Sequence, residues 1–168
     1  MRISFLTLPL LAVSLLYSTC QAQTFPDRCA GLWSGRMYIY ANGTLKDSVE
    51  VRLTVAKLPE PNAWTWKTEY LSEKMPAVKD YILRTKDADK GWFITDEGDG
   101  IELQDFVFGN KMYSAFDVGG ILLSASYELL GDTLIFEVTS GRKMDSKEGT
   151  PLNFSVNNLQ RVVFRRQE

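Results

Sequence analysis

The sequence predicts an all-β protein, built as a single antiparallel up-and-down barrel of about ten strands. Three observations lead to this prediction. Apolar and polar residues alternate with a period of two from Gly31 onward, without a convincing helical stripe. Turn residues, mainly Gly, Asn and Asp, interrupt this alternation at short intervals. Closure into a barrel also removes the exposed edges that an open sheet of this size would leave.

The first three predicted strands are the most regular part of the pattern. The first spans 31–41 and ends at Asn42-Gly43, which supplies the two positive-φ positions of a tight hairpin. The second spans 45–58 and stops at Pro59, because proline has no N–H to donate to a neighbouring strand. The third spans 63–71 and carries two tryptophans on one face. These segments predict a meander of neighbouring antiparallel strands.

Seven further strands are predicted between turns, over 78–85, 92–95, 101–108, 111–118, 121–129, 133–140 and 153–165. A two-sheet β-sandwich is the alternative architecture. It usually needs longer crossover connections, and only 72–77 and 141–150 could provide them. The sequence contains no internal repeat and no sign of a second domain, so we expect one domain over 23–168.

The first 22 residues have the features of a secretory signal peptide. Arg2 precedes an apolar run from Ile3 to Tyr17, and small residues lead to a cleavage position after Ala22. The run is shorter than the roughly 20 residues that a helix needs to cross a bilayer, so we predict no transmembrane segment. The protein is therefore expected to be secreted or periplasmic.

The two cysteines refine this expectation. In one alternative, Cys20 becomes the acylated N-terminus of a lipoprotein, although Tyr17 and Thr19 are poor matches to the small residues that such a site favours. If cleavage follows Ala22, Cys29 is the only thiol left and cannot form an internal disulfide. We interpret Cys29 as a small apolar plug at the closed end of the barrel, with a reactive or intermolecular thiol as the alternative.

Composition excludes several classes of function. The chain contains no histidine, so it cannot hold a Ser-His-Asp triad, a histidine-ligated haem or an imidazole-built zinc site. Basic residues are dispersed among acidic ones, which argues against a nucleic acid partner. The acidic run 96–102 lacks the ligand spacing of an EF-hand calcium loop and is better interpreted as a hairpin turn. We therefore predict no metal site and no cofactor.

The opening of the first strand, Gly31-Leu32-Trp33-Ser34-Gly35, resembles that of the calycin barrels, which include lipocalins, fatty-acid-binding proteins and nitrobindin-like proteins. The resemblance implies that Trp33 closes one end of the barrel. It also implies that an arginine from the last strand packs across the indole, where a cation is attracted to the ring face. Arg161 and Arg165 are the candidates for this arginine.

The number of strands is more similar to that of the fatty-acid-binding and nitrobindin-like barrels than to the eight of lipocalins. The direct link through Asn42-Gly43 departs from the fatty-acid-binding proteins, which insert a helical lid there. Nitrobindin-like proteins hold haem through a histidine, which this chain lacks. The resemblance therefore implies a calycin-like barrel without the haem function.

The strands combine apolar faces with a few amphipathic side chains, as a ligand pocket inside a barrel requires. The candidate ligand-binding residues are Arg84, Tyr70, Tyr81, Tyr113 and Tyr127. Arg84 would suit a carboxylate, because guanidinium offers two parallel donors. In the alternative interpretation, the tyrosines lie on the outside or the rim and Arg84 pairs with an acidic residue in solvent. We predict a non-enzymatic protein that binds a small, largely apolar or amphipathic molecule.

The sequence is also compatible with two other functions. The barrel could be a packed scaffold whose loops, such as 142–148 and 72–77, engage another protein. It could also be an enzyme that uses inward carboxylates, since several acidic residues lie within predicted strands. These acidic residues are Glu50, Glu69, Asp80, Glu102, Glu128 and Glu137. The alternation alone does not determine which of them face inward.

Overall fold

The computed structural model describes residues 23–168 and shows a closed barrel of ten antiparallel strands. The predicted signal peptide, with Cys20, lies outside the described residues. The elements are α1 (Phe25–Cys29), β1 (Gly31–Ala41), β2 (Thr44–Lys57), β3 (Ala63–Leu71), β4 (Ala77–Asp87), β5 (Trp92–Gly98), β6 (Ile101–Phe108), β7 (Lys111–Val118), β8 (Ile121–Leu130), β9 (Thr133–Lys143) and β10 (Phe154–Arg166).

Every strand pairs with its neighbours in the chain, and β1 also pairs with β10 to close the barrel. The prediction of a ten-stranded up-and-down barrel is confirmed, and the sandwich alternative is wrong. The link between β1 and β2 is the expected tight turn, with φ of 52° at Asn42 and 72° at Gly43. These left-handed values suit a two-residue hairpin, so β2 follows β1 without an intervening helix.

The barrel has two ends that differ in construction. We define the closed end as the one where β1 begins and β10 finishes, because α1 lies there. Arg28 of α1 donates from Nη2 to the carbonyl of Gly109, in the turn between β6 and β7, at 2.8 Å. The open end carries the β1–β2, β3–β4, β5–β6, β7–β8 and β9–β10 connections.

The helix α1 was not predicted, although its capping signal is present in the sequence. Thr24 accepts a hydrogen bond at Oγ1 from the backbone N–H of Asp27, and the Asp27 carboxylate accepts one from the Thr24 backbone N–H in return. This reciprocal capping box begins the helix, and Pro26 supports its first turn. Among the described residues, no helix has the length and apolar character needed to span a membrane.

A dense apolar core fills the closed end. Trp33 is 1% exposed and donates from Nε1 to the carbonyl of Cys29 at 2.8 Å. Trp64 is equally buried and donates from Nε1 to Asp27 Oδ1 at 3.0 Å. Both indole N–H groups are therefore satisfied by α1 or its immediate flank, which holds the helix across the barrel end. Phe164 and other fully buried side chains complete the packing.

The expected cation–π contact exists, but its arginine was misassigned. The guanidinium of Arg166 lies over Trp33, with 4.2 Å from Cζ to the ring centroid. Arg161 instead pairs with Glu137 on the outer surface, and Arg165 contacts the hydroxyl of Thr133. The candidates were wrong because Arg161 and Arg165 have the outward parity of β10, whereas Arg166 is in phase with the buried residues of that strand.

The two glycines that flank Trp33 have separate steric roles. A Cβ on Gly31, whose φ is 138°, would stand 2.7 Å from Nη1 of Arg166. A Cβ on Gly35 would stand 2.6 Å from the backbone oxygen of Val163. Both positions therefore leave room for β10 to approach β1, which gives the Gly-x-Trp-x-Gly pattern a physical reason.

Candidate functional site: an interior cavity

The half of the barrel nearer the open end contains a cavity of about 270 Å³. This volume lies just below the range of about 300–1,000 Å³ that is usual for pockets of drug-sized ligands. Alternate residues of β3 to β10 line it, because inward side chains recur with a period of two. The apolar part of the wall comes mainly from β7, β8 and β9: Met112, Phe116, Leu123, Ala125, Phe136 and Val138.

Aromatic rings form the floor of the cavity and separate it from the packed closed end. The ring of Tyr127 stacks on that of Phe136 at 4.5 Å between centroids and meets the edge of Trp66 at 5.0 Å. Phe25 of α1 packs on Trp66 from the closed side, at 6.5 Å. The helix therefore supports the floor from below.

Trp66 leaves one polar group unused at this floor. Its side chain is 3% exposed, and Nε1 has no hydrogen-bond partner within residues 23–168. A buried donor without an acceptor costs free energy, of the order of 1–3 kcal/mol. Burial raises the pKa of the Tyr127 phenol and the nearby Trp66 indole partly offsets this, so the Tyr127 hydroxyl lies near Nε1 without forming a hydrogen bond of normal geometry. An acceptor atom on a molecule in the cavity would satisfy this donor.

Asp105 places a carboxyl group on the cavity wall. The residue is 4% exposed, and its Oδ2 accepts a hydrogen bond from the hydroxyl of Thr95 at 2.7 Å. Burial raises the pKa of Asp105 to about 6, and the hydrogen bond from Thr95 only partly offsets this. Ser114, also nearly buried, lines the cavity beside it on β7. The wall can therefore accept a hydrogen bond from a ligand N–H or O–H.

Three of the five predicted binding residues lie together on the cavity wall. Tyr127 is at the floor, Tyr81 pairs with Trp66 across β3 and β4, and Tyr70 lies farther along β3 toward the open end. Burial raises the pKa of each of these phenols, so they are neutral donors at ordinary pH. Their contact with a ligand stays a prediction, but the structure brings them to the same space.

Arg84 and Tyr113 lie outside the barrel, where they cannot contact the interior. Arg84 donates from Nη1 to Asp96 at 2.7 Å and lies 3.4 Å from Glu60. This surface pairing corresponds to the alternative interpretation of Arg84, in which it pairs with acidic residues in solvent. Tyr113 is 42% exposed, and the ammonium of Lys111 lies 5.0 Å from its ring centroid. Both residues have the outward parity of their strands.

Sequence reasoning missed the charged groups that do line the cavity. Lys79, Glu97 and Asp105 all have inward parity, whereas none of the six strand carboxylates considered as catalytic candidates contributes to the lining described here. Lys79 lies close to Tyr81, with 5.7 Å from Nζ to the ring centroid. The two-residue spacing from Lys79 to Tyr81 was the available signal, because both must share one face of β4.

Two other sequence interpretations can be placed on the structure. The run 96–102 forms the β5–β6 hairpin, where Asp96 Oδ1 accepts from the backbone N–H of Gly98 at 2.9 Å and Asp99 has a φ of 53°. Within the described part of the chain, no group of three or more acidic or cysteine side chains is arranged to hold a metal ion. Cys29 is fully buried, and burial raises its thiol pKa to about 12, which suits an apolar plug.

Comparison with known proteins identifies the fold and leaves the family open. No family model and no curated protein matches the sequence. An S-type phycobiliprotein lyase from Guillardia theta superposes with a TM-score of 0.61 at 8% identity, covering 86% of this chain and 91% of that one. The protein Rv2717c of M. tuberculosis gives a TM-score of 0.53 at 17% identity, with coverages of 84% and 94%.

A third similar structure is a protein of unknown function from the DUF3598 family of Nostoc punctiforme. It gives a TM-score of 0.59 at 13% identity, and this chain spans about half of it, with coverages of 84% and 49%. Such low identities bear on the fold alone. The chain has a calycin-like barrel fold, as its first strand indicated.

Proposed function

We propose that this protein is a secreted or periplasmic, non-enzymatic binding protein that holds a small, largely apolar ligand inside its barrel. The observation that carries the proposal is the interior cavity, with apolar walls and a few convergent polar groups. A barrel that served only as a scaffold would gain stability by filling this space, because empty volume forfeits packing contacts.

The polar groups define the ligand further. Trp66 Nε1 is a donor without a partner, and Asp105 is an acceptor elsewhere on the same cavity wall. A molecule with an apolar body, one acceptor and one N–H or O–H donor would complement both. The neutral tyrosines add donors that tolerate an apolar neighbour, because each phenol combines a ring with one hydroxyl.

A fluorescent apolar probe tests the proposal directly. N-phenyl-1-naphthylamine is neutral, is weakly emissive in water and carries one N–H. We expect saturable binding to the native protein, and a loss of affinity of about tenfold or more in Ala125→Trp, because the indole would occupy the cavity. Ala56→Trp is the matched control, since Ala56 is exposed on the outer face of β2 and should leave binding unchanged.

The alternative function, a protein-interaction module, has one observation in its favour. The two long open-end loops expose apolar side chains, with Met75 at 80% and Met144 at 49%. If the protein acts through these loops, then shortening them should abolish capture of a partner while probe binding persists. Loss of probe binding in Ala125→Trp without loss of partner capture would separate the two functions.

A further inference from the structure

The barrel wall contains an incomplete seam between β6 and β7. Pairing of these strands begins at Phe108 opposite Lys111 and stops at Phe106 opposite Tyr113. Both strands nevertheless continue toward the open end, over 101–105 and 114–118, and each remains paired with its other neighbour. We call these two segments the seam. Water on the outside of the barrel can form hydrogen bonds with the backbone N–H and C=O groups that face the seam. The separation of the two strands therefore leaves no backbone group without a partner.

An external groove of about 710 Å³ lies over this seam. Its outer rim is aromatic, with Phe106 36% and Phe108 66% exposed beside Tyr113. Phe108 and Tyr113 meet edge to face at 6.2 Å between centroids. Exposed aromatic groups of this kind favour contact with apolar, ring-containing molecules.

The groove and the interior cavity share part of their lining. Leu103, Ser114 and Phe116 belong to both. If the register of the paired segment is continued, Leu103 lies opposite Phe116, so two apolar side chains face each other across the seam. In this position they would separate the groove from the cavity, since both line the two spaces and have the inward parity of their strands.

We propose that the seam is the entrance through which an apolar ligand reaches the interior, with Leu103 and Phe116 as its gate. This inference rests on the proposed function of the cavity. The occupant of the groove is the same apolar, ring-containing ligand on its way to the cavity, because three residues line both spaces.

Side-chain polarity at the gate favours this route over the open end, although Glu102 and Gln104 also line the outer groove. Around the open end, the cavity wall carries the ammonium of Lys79 and the carboxylate of Glu97. An apolar molecule passing these groups would displace their water, which is costly.

At Leu103 and Phe116, passage requires rotation of two apolar side chains and breaks no backbone hydrogen bond between β6 and β7. The polar contact between Asp105 and Ser114 lies two residues nearer the closed end and can stay in place.

Two substitutions with opposite effects test the entrance. Ala115 lines the groove but not the cavity, so Ala115→Trp should obstruct access without filling the interior. Phe116→Ala should open the gate. In stopped-flow measurements with N-phenyl-1-naphthylamine, we expect Ala115→Trp to slow association and dissociation together by at least about fivefold, with little change in affinity, because an obstructed path slows both directions. Phe116→Ala should accelerate both rates. Ala56→Trp, on the outer face of β2, is the control for a bulky outward residue.

The outcomes separate this inference from the function on which it rests. If the probe binds and Ala115→Trp has the same rates as the native protein, then access lies elsewhere and the entrance is overturned. If the native protein does not bind the probe, while circular dichroism shows an intact fold, then the proposed function fails and the entrance fails with it. An affinity loss in Ala115→Trp with unchanged association would also contradict a gate, because an obstructed path must slow association.

Discussion

The closed and open halves of this barrel use the same strands for different purposes. In the closed half, Trp33 and Trp64 are fully buried, and both indole N–H groups have partners in or beside α1. In the open half, Trp66 is just as buried, but its N–H has no partner within residues 23–168. The contrast indicates that stability is concentrated at one end, which allows the other end to keep an empty space.

The largest difference should appear when one aromatic ring is removed from each half. We expect Trp33→Ala to lower the free energy of unfolding by about 3–5 kcal/mol, because it leaves a closed cavity and releases α1. Phe116→Ala should cost less than about 2 kcal/mol, since that ring borders existing space and already lacks contacts on one side. Urea unfolding followed by circular dichroism measures both. Equal losses of unfolding free energy in the two variants would contradict the conclusion that stability is concentrated in the closed half.

The arginine over Trp33 tests the closed end with a matched neighbour. Arg166→Ala removes the cation–π contact and a hydrogen bond from Nη2 to the carbonyl of Arg28 at 3.0 Å. We expect a loss of about 1–3 kcal/mol. Arg165→Ala removes an exposed side chain and should stay within about 0.5 kcal/mol of the native protein. A greater loss of unfolding free energy in Arg165→Ala than in Arg166→Ala would indicate that Arg165, and not Arg166, stabilises the closed end.

The open half should lose stability as the pH rises through the acidic range, because it contains a buried carboxyl group. Burial raises the pKa of Asp105 from an ordinary 3.8 to about 6, so the folded state holds this proton more tightly than the unfolded state. Its contribution therefore makes the protein less stable as the pH rises from about 4 to about 6.

Asp105→Asn should remove this slope and raise the free energy of unfolding at neutral pH, by at most about 3 kcal/mol. The amide oxygen can still accept the hydrogen bond from Thr95. Unfolding free energies of both proteins across that pH range give the comparison. Parallel curves would show that Asp105 is not the group responsible.

The smallest effect is expected at Cys29. Its thiol is buried under α1 and has a pKa raised to about 12, so iodoacetamide should not modify it in the folded protein. Modification should follow global unfolding, as read by mass spectrometry of the peptide that contains Cys29. Rapid alkylation of the native protein would indicate that α1 opens locally and that the closed end is less rigid than its packing suggests.

The strands and their order could be predicted from the sequence because alternation and turn residues are local signals. The inward parity of β4 could not, since Ile82 and Leu83 are both apolar and Lys79 faces the cavity. Tyr81 and Arg84 are three residues apart, so a regular strand cannot turn both inward. The alternation of side chains along β4 therefore allows only one of these two residues to line the cavity.

No pattern in the sequence predicts the seam or the unpartnered indole N–H of Trp66. The segments 101–105 and 114–118 alternate as paired strands do, and their separation depends on how the whole barrel closes. Whether Trp66 finds an acceptor also depends on residues far away in the chain, such as those of α1 and β8. Such features arise from tertiary packing, which local propensity does not encode.

Native mass spectrometry of the protein purified from its own host tests the central proposal most directly. We predict that the native protein retains a small molecule, released on unfolding, and that Ala125→Trp carries none while Ala56→Trp carries the same molecule. Retention of that molecule by Ala125→Trp at the native level would contradict an interior site, because the indole would occupy the cavity in which the ligand is proposed to lie.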